Sequence, residues 1–437
     1  MKVAVIGAGI SGLACAYRLA KANAGIDVTL FEANGYFGGH TNTVDVTLDG
    51  ITHGVDTGFL VFNHRTYPNL MKLFEELDVP TTATDMSFSV SLTDRRLEWA
   101  GSDLNTVFTQ RRNLLRPAFL RMLADIFRFN RTTTALALAG KDVQLAEPVS
   151  RFLEREKFST AFRDWYLLPM IGAIWSCSTS QMMAFPIGTL IRFCHNHGLL
   201  QVNDRPQWHT VNGGAREYVR RMLPVIGDAR AGAAVTSVRR SARGVEIDST
   251  RGLEHFDHVV LACHSDQALA LLADPSNVES ATLGAIGYAP NRAVLHTDIS
   301  LLPARRAWSA WNYESRTGEL GGEPQLCVHY LINKLQPLPF KTPVIVSLNP
   351  VREPRRDTVM REFAYSHPVF DQAAVQAQRS LPSMQGVRNT WFAGAWTGYG
   401  FHEDGLKSGL EAAAKLTAIA AVAAVAAPGS NEPALAA

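Results

Sequence analysis

Residues 2–21, KVAVIGAGISGLACAYRLAK, pass from an apolar pentapeptide through three glycines into a helical repeat. The run KVAVI has the length and β-branched content of a buried parallel strand. Beyond the turn, Leu13, Ala16, Tyr17 and Ala20 recur at helical spacing, and DVTLFE (27–32) reads as a second strand. Strand, glycine turn, helix and strand form a βαβ unit, the opening of a doubly wound sheet. Gly7, Gly9 and Gly12 make up the pattern GxGxxG: the first permits a tight turn, the second lets backbone approach a pyrophosphate, the third allows close helix–strand packing. The helix N-terminus then presents unpaired N–H groups and a positive dipole to phosphate, with Ser11 as a further hydroxyl donor. Glu32 follows Gly12 by twenty residues, at the strand end where an acid accepts from ribose hydroxyls. The pattern predicts a dinucleotide site and leaves NAD and FAD both open.

Outward from this unit, the elements come in separated blocks. Val44, Val46 and Leu48 alternate with polar residues up to Asp49-Gly50, a hairpin signal, and Phe88, Val90 and Leu92 alternate in the same way. Residues 104–197 turn helical and aromatic; strands return as VTSVRR, VEIDST and HVVLAC between 235 and 263, and again across 285–350. TWFAGAW (390–396) is a strand entering a glycine-rich loop and a last helix. The expected fold is α/β: a Rossmann-like domain (1–85, 205–280 and 386–427) interleaved with an α+β substrate domain (86–204, largely helical, and 281–385, strand-rich). Residues 428–437 read as a frayed tail.

Composition bounds the function. The 437 residues are 46% hydrophobic and 19% charged, enough for large cores, and the formal charge of +2 lacks the basic excess of a nucleic-acid binder. Five dispersed cysteines without a CxxC pair give neither a disulfide framework nor a metal site. No run reaches the length of a spanning helix, and the fold motif begins at residue 2, so cytoplasm is the expected compartment.

Further motifs decide between the two dinucleotides. Gly38-Gly39-His40 follows Glu32, then VDTGF with Asp56 and Gly58, and far downstream FAGAWTGYGFHEDGLKSGLEAA (392–413). The chain resembles the flavin-containing amine oxidase superfamily, with protoporphyrinogen oxidase and phytoene desaturase as relatives. More narrowly it is similar to bacterial NAD/FAD-binding proteins encoded beside cyclopropane-fatty-acyl synthases. That likeness rests on DTGFLVFN (56–63), NHGLL (196–200), LACHSDQAL (261–269), VLHTD (294–298), WNY (311–313) and GFHEDG (400–405). It covers the chain to about residue 415.

The resemblance implies noncovalent FAD. It puts the pyrophosphate on Gly7, Gly9, Ile10, Ser11 and Gly12, and the ribose on Glu32 and Ala33. Gly38, Gly39, His40 and Thr41 would line the phosphate and ribityl region, with Thr57, Gly58 and Phe59 beside them. Adenine would meet backbone at Val235, next to Ala262. Gly394, Ala395, Glu403, Asp404, Gly405 and Leu406 would approach the flavin, with a helix starting near Gly405 aiming its positive end at the ring. Two positions depart from the family: His40 stands where Arg is usual, and Ala395 where Glu or Asp is usual.

For chemistry the residues are fewer. His402 is a candidate catalytic residue, as a substrate wall or proton shuttle, with a loop-fixing role as the plain alternative. Arg292, in Asn291-Arg292-Ala293-Val294-Leu295, falls where amine-oxidising relatives carry a lysine that holds a water. Glu403 and Asp404 read as helix caps, and Cys177 and Cys263 as packing. The blocks DWYLLPMIGAIWSCS (164–178) and AWSAWNYES (307–315) suit an apolar pocket or an ordinary core. Between residues 111 and 131 six arginines face one acid, Asp125, and Leu115, Phe119, Met122, Ile126 and Phe129 share a stripe. Such a helix either packs on a core or lies on an anionic inner membrane face. The implied activity is hydride removal from an apolar, lipid or fatty-acyl, substrate; non-redox isomerisation, and partnership with a lipid-modifying methyltransferase-like enzyme, are the alternatives.

Overall fold

The computed structural model describes residues 1–141, 145–175, 178–201, 205–316 and 325–426; Cys177 and the tail 428–437 lie outside them. Two compact units emerge, one of Met1–Gly39, Val219–Gly284 and the segment from Ser380 onward, the other of His40–Tyr218 and Ala285–Arg379.

The first unit is built on a five-stranded parallel sheet in the order Asp228–Arg230, Asp27–Phe31, Lys2–Ile6, His258–Leu261, Thr390–Phe392. Val3, Ala4 and Val5 are fully buried, as a central strand covered on both faces requires. A three-stranded antiparallel sheet, Val235–Ser241, Gly244–Ser249 and Gly252–Phe256, belongs to the same unit. The helix Ile10–Lys21 packs against the long C-terminal helix His402–Ala426: a Cβ on Gly409 would lie 2.1 Å from the Ser11 carbonyl oxygen.

The second unit holds a seven-stranded sheet, ordered Val359–Pro368, Tyr288–His296, Ile345–Leu348, Gln325–Leu331, Trp311–Arg316, Phe88–Leu92, Leu97–Ala100. All neighbours are antiparallel except Trp311–Arg316 with Phe88–Leu92. Helices including Pro117–Leu138, Val149–Arg155, Leu168–Trp175 and Ile187–Asn196 complete it. The aromatic blocks are largely core: Trp165 packs with Trp99, Phe119 and Met122, and the Trp311 ring meets Tyr330 edge-on at 4.9 Å.

The breaks between units differ from the sequence expectation. The first falls at Gly39/His40, not after residue 85, because Val44, Val46, Val55, Leu60 and Val61 join one apolar cluster with Ala293, Leu295 and Val346. The others fall at Tyr218/Val219, Gly284/Ala285 and Arg379/Ser380, each a few to some fourteen residues from the expected 204/205, 280/281 and 385/386. No helix among the described residues is long and apolar enough to cross a membrane. Nor do those residues contain a group of three or more His, Cys, Asp or Glu able to hold a metal.

Candidate cofactor site

The glycine turn is fixed by backbone. Gly7 has φ +100°, and its N–H donates to the Phe31 carbonyl at 2.8 Å. A Cβ on Gly7 would stand 2.7 Å from the Ala262 oxygen, and one on Gly12 1.8 Å from the Gly7 oxygen, so neither tolerates a side chain. Gly9 is different. A Cβ built there meets nothing within 4 Å, and no side chain caps the helix it precedes. The first turn, Ile10 to Leu13, contains no acid, so its N–H groups and positive end face an open space suited to an anion. Gly38 donates to the Ala8 carbonyl at 2.8 Å, and Gly39, at φ +59°, comes so near that its Cβ would sit 3.1 Å from the Gly9 Cα.

Glu32 is buried at the strand end. Its Oε2 accepts from the Ala8 N–H at 2.8 Å and its Oε1 from the Asn34 N–H at 2.8 Å. The Ala33 side is exposed. Ala233 donates to the Glu32 carbonyl at 2.8 Å, which leads the strand beginning at Val235 away from beside the acid. Ala262, at the end of His258–Leu261, donates to Ile6 at 2.8 Å. Cys263 is packing: burial pushes its thiol up to about 12.

The C-terminal motif reaches the same place. Gly394 donates to Ser408 Oγ at 2.9 Å, and Gly400 to the Ala395 carbonyl at 3.1 Å. A Cβ on Gly405 would be 2.9 Å from both Ile10 Cγ2 and Ser11 Oγ, and Leu406 beside it is fully buried. The first turn of the last helix therefore packs on Ile10–Ser11, the start of the first. The last helix starts at His402, one turn earlier than expected. Asp404 is consequently the third residue of its first turn and not a cap: its Oδ2 accepts from Phe401 N–H at 3.0 Å and Tyr399 N–H at 3.1 Å, which ties down the entering loop. Burial pushes the Asp404 carboxyl up to about 6, against the pull of those two N–H groups. Burial likewise presses the His402 imidazole down to about 3. A ring held neutral can serve as a wall, as a fixing point of the loop or as a proton acceptor.

The residues from His40 to Phe59 are arranged within the second unit. Phe59 donates to the His40 carbonyl at 2.7 Å and Thr57 to the Asn42 carbonyl at 3.0 Å. A Cβ on Gly58 would be 2.2 Å from the His40 oxygen. Thr41 and Tyr218 share a short hydroxyl hydrogen bond. The His40 ring stacks on Tyr365, centroids 5.0 Å apart, and lies 5.3 Å from His367. Tyr365 and His367 escaped the sequence reading; their signal is the alternation of Phe363, Tyr365 and His367 on one strand face. Asp56, quoted in its motif but given no role, proves to be the polar hub of this segment. Its carboxylate accepts from Ala215 N–H at 3.0 Å, Gln336 Nε2 at 2.6 Å and the Thr43 hydroxyl.

Arg292 lies on the strand Tyr288–His296 and is held by two acids. Its guanidinium pairs with Glu353 at 2.7 Å and Glu362 at 2.8 Å, half-exposed. The strand register sets Arg292 opposite Ala364 and Asn291 opposite Tyr365, so it is Asn291 that shares a face with Tyr365 and His367. Asn291 donates to the His367 ring at 3.2 Å. Arg292→Gln is expected to leave flavin content and turnover unchanged and to cost only about 0.2–1 kcal/mol, as exposed ion pairs do. Loss of flavin from that variant would return Arg292 to the cofactor.

A parallel sheet whose first glycine turn leaves an uncapped helix start facing open space, with a buried acid at the end of the next strand, has the form of a dinucleotide-binding domain. The match of residues 10–317 to the family model for flavin containing amine oxidoreductase is more specific. The chain belongs to that family, whose cofactor is a flavin. Among solved structures it is similar to a CLA-producing fatty acid isomerase from P. acnes (15% identity, TM-score 0.67, covering 94% of this chain and 98% of that one). It is similar to cyclohexylamine oxidase from Brevibacterium oxydans (15%, 0.68, 96% and 99%) and to a putrescine oxidase bound to putrescine (16%, 0.66, 96% and 99%). At such identities the likeness is one of fold. No curated protein sequence matches.

Proposed function

We propose that the chain is an FAD-dependent oxidoreductase that removes a hydride from an apolar lipid or fatty-acyl substrate. The observation that carries the reading is the uncapped helix start at Ile10–Ser11, beside the open space over Gly9 and packed against the first turn of the helix His402–Ala426. FAD held there supplies the hydride acceptor. The chain's own part is to bind, orient and exclude water. Gly7–Gly12 and the first helix turn hold the pyrophosphate through N–H groups, and Glu32 accepts from the ribose. The start of the helix His402–Ala426 offers positive potential to charge that accumulates nearby. In this reading Tyr399, Phe401 and His402 wall the substrate side of the flavin, backed by Trp396, whose buried indole donates to the Cys263 carbonyl at 3.1 Å. Ala395 to Tyr399 contain neither Cys nor His, the residues that would attach a flavin covalently.

The wall and the ion-paired Arg292 argue against amines, in spite of the family's name. Likeness in fold to a fatty acid isomerase favours a second reading, isomerisation of an acyl chain without net oxidation.

Anaerobic addition of fatty acids and phospholipids to the yellow protein separates the two. Lasting loss of the oxidised-flavin absorbance is expected for the oxidoreductase; product formation with the colour retained would mean isomerisation. In a peroxide-coupled assay, primary amines, polyamines and amino acids are expected to give background rates. Turnover near the usual enzyme median of about 10 s⁻¹ with any of them would overturn the apolar-substrate reading.

A further inference from the structure

The helix Pro117–Leu138 has two apolar faces. The one legible as a stripe is core from Phe119 onward: Phe119, Met122 and Phe129 are buried, with Thr133 and the carboxylate Asp125, whereas Leu115 falls in the exposed turn before the helix. The opposite face, Leu120, Ala124, Phe127, Arg131, Ala135 and Leu138, recurs at helical spacing and is exposed along its length. Phe127 is 62% exposed, Leu138 75%, and Leu115 in the preceding turn Arg111–Leu115 89%. Of the fifteen exposed large apolar side chains among the described residues, six lie between 104 and 138. Single exposed leucines need no explanation, but a continuous row does.

Charge identifies what covers it. Residues 104–141 contain six arginines and one lysine against a single acid, Asp125. That acid is buried and already engaged by Arg121 at 3.4 Å and Arg128 at 2.9 Å. Arg111 hydrogen-bonds to the Phe108 carbonyl and Asn105, and Arg112 to the Arg96 carbonyl and Gln110. All four acceptors are neutral, so both charges stand uncompensated at the end of the apolar row, and exposed Arg131 adds a third within it.

We propose that this face, the helix Pro117–Leu138 with the turn before it, docks on an anionic phospholipid surface. The leucines and Phe127 enter the headgroup boundary while Arg111, Arg112 and Arg131 meet lipid phosphates. A second copy of the chain fits poorly, since a two-fold contact sets each patch on itself and brings arginine against arginine. The inference is independent of the chemistry at the flavin.

The flavin-loaded full chain is to be co-sedimented with phosphatidylglycerol/phosphatidylethanolamine vesicles, with phosphatidylcholine vesicles as the neutral control. Binding to the first, weakened by salt, is expected. Leu120→Glu/Phe127→Glu should lose at least about tenfold in vesicle affinity while keeping flavin and melting temperature. Arg111→Gln/Arg112→Gln should lose roughly thirtyfold on the anionic vesicles alone, about fivefold per charge. No binding by the parent, or binding that neither variant weakens, overturns the proposal. So does a dimer or a bound acidic protein, seen by light scattering of the purified sample, that Leu120→Glu/Phe127→Glu dissociates.

Discussion

Gly9→Ala is expected to fold as the parent does and to lose its flavin. The backbone at Gly9, φ −71° and ψ −178°, is one that alanine adopts freely, and its Cβ meets no protein atom within 4 Å. The added methyl therefore costs the apoprotein little and occupies only the space over the helix N-terminus. Gly12→Ala is the opposite case: its Cβ would lie 1.8 Å from the Gly7 carbonyl oxygen, and the turn itself must break. Glu32→Ala falls between them. It removes an acceptor whose charge-assisted hydrogen bonds are worth on the order of 1.5–3 kcal/mol, roughly ten- to a hundredfold in affinity. It also strands the Ala8 and Asn34 N–H groups that the carboxylate now satisfies, so part of its effect is on stability. Cys15→Ser, in the same helix but fully buried away from the turn, serves as a control for disturbance of packing. The measurements are the melting temperature of flavin-stripped protein and the affinity for added FAD by fluorescence quenching. Unchanged melting with at least about tenfold weaker binding is the expected pair for Gly9→Ala, a loss of about 1.4 kcal/mol or more. Parent-like affinity in that variant would remove the glycine turn from the cofactor site.

The contrast between these glycines shows what a sequence carries. Gly7 and Gly12 are legible because GxGxxG between a strand and a helix admits few geometries, and the sheet order around Lys2–Ile6 follows from parallel βαβ winding. Arg292 is less legible for the opposite reason. A strand has period two, so a one-residue error in a short aligned segment moves a side chain to the other face, and Arg292 and Asn291 stand on opposite faces of their strand. The strand Gly252–Phe256 left no trace because only its last residue is buried, so alternation has nothing to register. The sequence suggests a start of the last helix near Gly405, yet His402 and Glu403 already hold helical geometry because Asp404 pins the loop before them. In Pro117–Leu138 a stripe was legible and its complement was not. Both faces are apolar, and only packing decides which of them is core.

Asp56→Ala is expected to be among the most damaging single substitutions in the second unit. Asp56 is 1% exposed and its carboxylate gathers Ala215 N–H, the Gln336 amide and the Thr43 hydroxyl. Gly213 and Gly214, at φ +82° and +98°, bring the chain round to this acid just before the helix Arg216–Ile226. Removing the acceptor strands buried donors at about 1–3 kcal/mol each, for a total on the order of 3–5 kcal/mol. Asp56→Asn keeps the shape and isolates the charge. Burial pushes the Asp56 carboxyl from 3.8 up to about 7, although the Thr43 hydroxyl, the Ala215 N–H and the Arg216 charge pull it down. A carboxyl raised in the folded state binds its proton more tightly there than in the unfolded chain. Its contribution to stability is therefore full at low pH and is lost as pH rises from about 4 to about 7, by at most about 1.4 kcal/mol per pH unit. The asparagine variant has no such proton. Urea unfolding of both proteins across that range should show the parent losing ground to Asp56→Asn as pH rises, while Asp56→Ala stays low throughout. Parallel pH profiles for the parent and Asp56→Asn would mean that the donors around Asp56 hold it ionised, and that the hub is an anion at every working pH.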